Sequence, residues 1–162
     1  RLEMASGEVY DGEWKDDKMH GYGVHLFPDG ATFEGQYIDG KWEGYGNYVG
    51  SNGEIYNGCF RANQREGLGR MVYVDHGRYE GEFHEDKRHG NGTFYVPFHP
   101  NEEPGMRFLP NGTPTWYRDR EEFKETYIGT WVSDRMDGTS LYLVDQPTGF
   151  VLKRKGFWEK IY

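Results

Sequence analysis

The sequence is poor in cysteine, in positive charge and in long apolar runs. A single cysteine, Cys59, among 162 residues cannot close an internal disulfide; this excludes a disulfide-stapled scaffold and fits a reducing compartment. No apolar run approaches the roughly 20 residues of a membrane-spanning helix, and no signal-like charged and apolar regions open the chain. The expectation is a soluble, intracellular protein. Lys and Arg number 19 against 27 Asp and Glu, a formal net charge of -8, so nucleic acid and anionic membranes are repelled on average. The basic cluster Lys153-Arg154-Lys155 reads as the blunting of a terminal strand edge rather than a phosphate site.

Catalytic patterns are also missing. The histidines His20, His25, His76, His84, His89 and His99 fit no zinc spacing. The Gly-x-Gly pairs lack the third glycine and helix of a dinucleotide loop, and no phosphate-binding GxxxxGK[ST] is present. Glu13, Glu34, Glu80 and Glu82 alternate as a solvated strand face does, not as a pair of hydrolytic carboxylates. The reading is a non-enzymatic chain with no catalytic residue, no metal and no cofactor.

What the sequence has is glycine, 24 residues, and aromatic rings, 17% of the chain. A mean hydropathy of -0.94 alone would suggest disorder, but the rings keep a rhythm. Tyr10, Phe33, Tyr56 and Tyr79 recur every 23 residues, the mark of a repeat array. Each opens an aromatic-x-Gly-x-aromatic run: Tyr10/Gly12/Trp14, Phe33/Gly35/Tyr37, Tyr56/Gly58/Phe60 and Tyr79/Gly81/Phe83. A charged link then leads to a glycine pair: Gly21/Gly23, Gly44/Gly46, Gly67/Gly69 and Gly90/Gly92. A fifth copy reads Tyr127/Gly129/Trp131 and Gly138, with Ser140 in place of the second glycine.

Period-two alternation makes each unit a β-hairpin with the rings and glycines on one face and Asp11 and Glu13 on the other. Both glycines of each pair are expected to leave bare backbone for a neighbouring ring to cover, and Pro28-Asp29-Gly30 supplies a connecting turn. His76-Gly77 falls one residue late and predicts a differently shaped turn there. A single hairpin is marginal alone, so the units must stack.

The expected organisation is the end of a preceding repeat at 1–9, four repeats at 10–96, an insertion at 97–126, repeat five at 127–149 and a terminal strand or cap at 150–162. The repeat tail at the start predicts that this chain is a portion of a longer protein. The insertion gathers Pro97, Pro100, Pro104, Pro110 and Pro114. Within it, Phe108 to Thr113 echoes the turn at Leu26 to Ala31, and Arg118 to Lys124 is charged enough for a short helix. Its rings, Phe98, Phe108, Trp116, Tyr117 and Phe123, argue against a bland linker.

The pattern Tyr-x-Gly-x-Trp, charged link, His-Gly-x-Gly and Asp-Gly resembles the MORN (membrane occupation and recognition nexus) repeat. Tyr10, Gly12, Trp14, His20, Gly21, Gly23, Asp29 and Gly30 carry it most fully, and His89-Gly90 matches again; Glu43 and Glu66 depart where histidine is usual. The resemblance implies an all-β fold, an elongated, twisted single-layer antiparallel sheet of stacked hairpins with an aromatic groove. It also implies a mostly non-enzymatic scaffold with protein partners in cytoskeletal, ciliary or flagellar, axonemal and membrane-contact assemblies; with the composition and charge, the expectation is a cytoplasmic chain that binds no nucleic acid. A membrane-tethering or phosphoinositide-binding module, disfavoured by the charge, and a regulatory module of a larger enzyme are the alternatives. Homo-oligomers fit the same pattern.

Residue by residue, the openers read as structural. His25, Tyr48, Met71 and Phe94, two residues beyond each second glycine, form an apolar file at repeat spacing. They are the expected partner-binding positions, joined by Phe108, Trp116 and Tyr117 of the insertion.

Overall fold

A computed structural model describes residues 1–97, 106–108, 114–116, 123–137, 141–146, 149–154 and 157–161, with side chains over 1–95 and 126–137. After a two-residue strand β1 (Leu2–Glu3), openers and glycine strands alternate: β2 (Val9–Lys15), β3 (Lys18–Leu26), β4 (Thr32–Ile38), β5 (Lys41–Val49), β6 (Ile55–Arg61), β7 (Gln64–Val72), β8 (Arg78–His84) and β9 (Lys87–Pro97). There follow β10 (Met106–Phe108), β11 (Pro114–Trp116), β12 (Phe123–Val132), β13 (Arg135–Met136), β14 (Leu141–Gln146), β15 (Gly149–Arg154) and β16 (Phe157–Ile161). All but β10 and β11 join one 14-stranded open antiparallel sheet that runs in chain order.

Two kinds of turn fold this sheet. The tight turn inside each unit has positive φ at both central residues, Asp16/Asp17, Asp39/Gly40, Ala62/Asn63, Glu85/Asp86 and Ser133/Asp134, between 47° and 70° except 81° at Gly40. That is the hairpin turn whose twist matches the flanking strands. The wider turn between units closes identically each time. Phe27 N–H donates to the Ala31 carbonyl at 2.9 Å and Gly30 N–H to the Phe27 carbonyl at 3.0 Å, and Asp29 Oδ1 accepts the Ala31 N–H at 3.0 Å. Tyr73, His76 and Asp75 repeat this with Gly77 at 2.8, 2.9 and 2.9 Å. The turn at His76 is therefore not differently shaped. His76, at φ 65°, occupies the left-handed position that Gly30 (φ 89°) and Gly53 (φ 91°) fill elsewhere, and Gly77 stands where Ala31 does. A β-carbon in that conformation is disfavoured by about 1–2 kcal/mol, partly offset by glycine's unfolded-state entropy. His76→Gly is expected to raise the melting temperature by a few degrees, and a fall in scanning calorimetry would refute the assignment of strain.

The glycines divide into two roles. One file, Gly12, Gly23, Gly35, Gly46, Gly58, Gly69, Gly81, Gly92 and Gly129, is paired strand to strand across the sheet. Rings lie on it: a Cβ built on Gly23 would stand 2.3 Å from the Tyr10 hydroxyl oxygen, and one on Gly69 at 2.3 Å from that of Tyr56. The first glycine of each pair does something else. Gly21, Gly44, Gly67 and Gly90 have φ of 61°, 67°, 83° and 60° and sit where the ladder slips into a bulge. Gly21 and Gly90 meet the carboxylates of Glu13 and Glu82, not a ring. Only the second glycine, with the opener's own, is bare backbone under an aromatic.

Successive units are clasped at the tight-turn end. Asn63 N–H donates to the Trp42 carbonyl at 3.2 Å while Asn63 Oδ1 accepts the Trp42 N–H at 2.8 Å. Asp86 repeats the clasp on Arg65 at 3.2 and 2.9 Å, and Asp134 on Arg88 at 3.0 and 2.9 Å. The motif histidine position adds an acceptor for the next turn's first N–H: His20 Nδ1 for Asp39 at 3.5 Å, Glu43 for Ala62 at 2.9 Å and Glu66 for Glu85 at 3.1 Å. Glutamate accepts as imidazole does, so Glu43 and Glu66 preserve the joint.

The insertion leaves the sheet without breaking its register, because β12 pairs directly with β9 through Gly129↔Gly92 and Tyr127↔Phe94. Inside it β10 and β11 pair antiparallel, Phe108 opposite Pro114 and Met106 opposite Trp116, which places a small hairpin where the turn echo lies. The expected helix over Arg118 to Lys124 is not supported where it can be read: Phe123 and Lys124 are strand, held by β9. Lys153 and Arg154 lie on β15, paired on both sides by β14 and β16, so they do not blunt an edge.

The face opposite the rings is less polar than alternation suggests. The file Asp11, Val24, Glu34, Asn47, Asn57, Arg70, Glu80 and Thr93 is mostly polar, but the neighbouring file runs Val9, Leu26, Thr32, Val49, Ile55 and Val72.

Candidate partner-binding groove

On the glycine-lined face the rings form one unbroken ladder. Trp14, Tyr10, Tyr37, Phe33, Phe60, Tyr56, Phe83, Tyr79 and Trp131 meet edge to face in that order, with centroids 5.0–5.4 Å apart and planes 80–90° to one another. This is the favoured aromatic geometry, and from Tyr10 to Trp131 the rings are buried. Trp14, at the ladder's end, is exposed. Tyrosine suits the opener because its hydroxyl reaches over the glycine to donate to a carbonyl three residues on: Tyr10 to Glu13 at 3.1 Å, Tyr56 to Cys59 at 2.9 Å and Tyr79 to Glu82 at 3.0 Å. Burial pushes the Tyr37, Tyr56 and Tyr79 hydroxyls well above the usual phenol range.

A second tier lies on that ladder, built at the position that the clasp holds. Trp42 stacks flat on Phe33, centroids 4.3 Å apart at 5°. One unit further, Arg65 lies 5.7 Å over Tyr56 and 5.3 Å over Phe83, and next Arg88 lies 4.4 Å over Trp131. Asp86 and Asp134 fix these guanidiniums, with Nε to Oδ1 distances of 3.2 and 3.1 Å. Sequence reading missed Trp42, Arg65 and Arg88. Their signal was the 23-residue spacing combined with an Asn or Asp 21 residues on, as at Asn63 and Asp86.

The expected file is split by burial. His25 and Met71 are 4% and 5% exposed and belong to the core, although all four members of the file stand between openers on both sides, so register does not divide them. Their assignment as partner-facing is corrected accordingly. Tyr48 and Phe94 stand at the same register but are half-buried and flank open cavities. One cavity, of about 350 Å3, is lined by Phe27, Pro28, Asp29, Ala31, Trp42 and Tyr48. The other, of about 450 Å3, is lined by Glu54, Tyr73, Val74, Asp75, Arg88 and Phe94. Phe108 and Trp116 are strand residues of the β10–β11 hairpin. Tyr117 and Gly138 lie outside the described residues.

His25 is a buried polar group within this wall. It stacks on Phe27 at 4.2 Å. Its Nδ1 is 3.3 Å from the Tyr37 hydroxyl, which accepts the Trp42 Nε1–H at 3.1 Å. The Tyr37 proton is then left for Nδ1, so the neutral ring carries its hydrogen on Nε2, 3.6 Å from the Glu8 carboxylate. At the tight-turn end, His84 Nδ1 meets both Glu66 carboxylate oxygens at 3.0 and 3.2 Å. The hydrogen bond to Glu66 raises His84 above the ordinary histidine range, and the bond from His84 lowers Glu66. The pair's contribution is lost as pH rises through the raised His84 pKa and, on the acid side, as pH falls through the lowered Glu66 pKa. Histidine titration by NMR should show His84 above the usual range and Glu66→Gln returning it; an unmoved pKa would refute the pairing.

An open antiparallel sheet of repeated hairpins, with a glycine file roofed by rings, is a stacked-repeat architecture, and among the described residues no group of three or more His, Cys, Asp or Glu could hold a metal ion. The MORN repeat family model matches residues 10–32, 33–55, 56–78, 79–96 and 127–139. The chain belongs to the MORN repeat family, whose repeats serve in protein or membrane interaction and are generally non-enzymatic. No curated protein matches it.

Proposed function

We propose that this chain is a non-enzymatic scaffold that binds a polypeptide along its ring-bearing groove, within a cytoplasmic cytoskeletal or ciliary assembly. The single observation that carries the reading is the row of partly covered rings, Phe27, Trp42, Tyr48, Tyr73 and Phe94, which the single sheet leaves open. Uncovered apolar surface flanking cavities is what a partner buries. The buried ladder beneath holds these rings in fixed positions, so binding them requires little ordering of the groove. Family membership supports an interaction role; the cytoskeletal setting follows from what the resemblance implies.

The test is affinity capture from ciliated cells with wild type and with the Tyr48→Ala/Phe94→Ala variant. Both rings are half-buried, so the variant should stay folded by circular dichroism while losing the captured proteins; truncating anchors of this kind costs about 2 kcal/mol or more of binding each. Retention of the same proteins by the folded variant would overturn the groove reading. Sedimentation with phosphoinositide-containing vesicles, in place of protein capture, would establish the membrane alternative.

A further inference from the structure

The two cavities occupy one position of the repeat but differ in chemistry. Phe27, Asp29, Trp42 and Tyr48 correspond to Tyr73, Asp75, Arg88 and Phe94, two units on. Two units are four strands, which sets the cavities about 19 Å apart at roughly 4.8 Å per strand. Between them Gly50 stands where Phe27 and Tyr73 stand, so among the described residues no ring at that repeat position walls off the groove.

The first cavity is a cage of rings. Asp29 borders it, but one oxygen of that carboxylate is engaged by the Ala31 N–H at 3.0 Å. In the second, Arg88 is neutralised by Asp134, Nε to Oδ1 at 3.1 Å and Nη2 to the backbone carbonyl at 3.0 Å. The charge left at its rim is that of Glu54 and Asp75, where among the described residues only Asp75 Oδ1 is engaged, by the Gly77 N–H at 2.9 Å. Tyr73 and Phe94, ring centroids 5.8 Å apart, line the cavity with these carboxylates, and the Arg88 guanidinium already lies 5.4 Å over the Phe94 ring. Aromatic faces beside carboxylates suit a cation, and a chain of net charge -8 steers a basic partner toward itself.

We propose that the groove takes a basic polypeptide segment with two anchors. An aromatic or large aliphatic side chain enters between Phe27, Trp42 and Tyr48, and a Lys or Arg side chain enters between Tyr73 and Phe94 against Glu54 and Asp75. This deepens the groove reading and rests on it. The strands beneath are hydrogen-bonded on both sides, so recognition is by side chains and not by an added strand. In an extended ligand, at about 3.3 Å per residue, the anchors fall about six residues apart.

The test is selection of random displayed 12-residue peptides on the immobilised full chain at low salt. Enriched peptides should share an aromatic or large aliphatic residue and a Lys or Arg at that spacing. A synthetic consensus peptide, followed by fluorescence anisotropy, should bind Glu54→Gln/Asp75→Asn about tenfold more weakly than wild type. The carboxamide oxygen of the Asp75→Asn change keeps the turn acceptor, and the variant's melting temperature should match wild type. Replacing the peptide's basic residue with norleucine should weaken wild-type binding equally. Enrichment without a basic residue, or affinity indifferent to the carboxylate substitutions, overturns the two-anchor proposal; if Tyr48→Ala still abolishes that binding, the groove reading survives. Binding indifferent to Tyr48→Ala, or no enrichment at all, overturns both.

Discussion

Gly46→Val is expected to destabilise the protein by about 3 kcal/mol, the upper part of the range for overpacking a core, and Glu34→Ala by no more than about 0.5 kcal/mol. A Cβ on Gly46 would stand 2.6 Å from Phe33 Cε2, 2.7 Å from its Cζ and 3.2 Å from Phe60 Cε2. Neither ring can retreat. Phe33 is locked between Tyr37, Phe60 and Trp42, at centroid distances of 5.3, 5.2 and 4.3 Å. Glu34 is on the other face, where its carboxylate accepts from the exposed Tyr22 hydroxyl. Urea midpoints for the two variants decide the matter. Equal shifts would mean that the ring ladder is not the core.

Trp131→Ala carries the other large effect. Trp131 is 4% exposed, closes the ladder on Tyr79, lies beneath Arg88 and donates its Nε1–H to the Gly92 carbonyl at 3.2 Å. Losing a buried tryptophan costs about 3–5 kcal/mol, but in an array each unit leans only on its neighbours. The loss should therefore be local. Amide exchange should accelerate along β12 and β9 while β2 to β4 keep their protection. A uniform loss of protection would show instead that the sheet is a single cooperative unit.

Much of the fold was legible because the ladder is written in residue types that have few other uses at that spacing. An aromatic, a glycine and an aromatic on alternate positions, repeated at 10, 33, 56 and 79, fix the strand, its inward face and the register of the next unit. The tight turns were not legible, since Asp16-Asp17, Ala62-Asn63 and Glu85-Asp86 lack the glycine that normally announces positive φ. At Asn63 and Asp86 the turn is held by the clasp, a contact between units that a single unit's sequence does not contain. The division of labour between Gly21 and Gly23 was hidden for a related reason. Simple alternation puts both on one face, and only the bulge reveals that Gly21 is needed for its backbone angle.

The candidate site was half legible. Its position on the ring face followed from the pattern, but the register places every member of the file between two openers and so does not decide which of them stay open. Tyr48 and Phe94 are large enough to rise out of the layer that encloses His25 and Met71. Trp42, Arg65 and Arg88 look unrelated as residues, yet each is placed over a ring of the ladder, a position that indole and guanidinium groups both fill.

The groove exists only if the sheet stays a single open layer, and small-angle scattering of the purified chain tests that most directly. Thirteen strands in line at roughly 4.8 Å each make a plate about 60 Å long, with a radius of gyration near 19 Å and a rod-like intermediate-angle decay. A globular profile near 15 Å, the value expected on the order of this chain length, would mean that the ring face is covered, and would contradict the account.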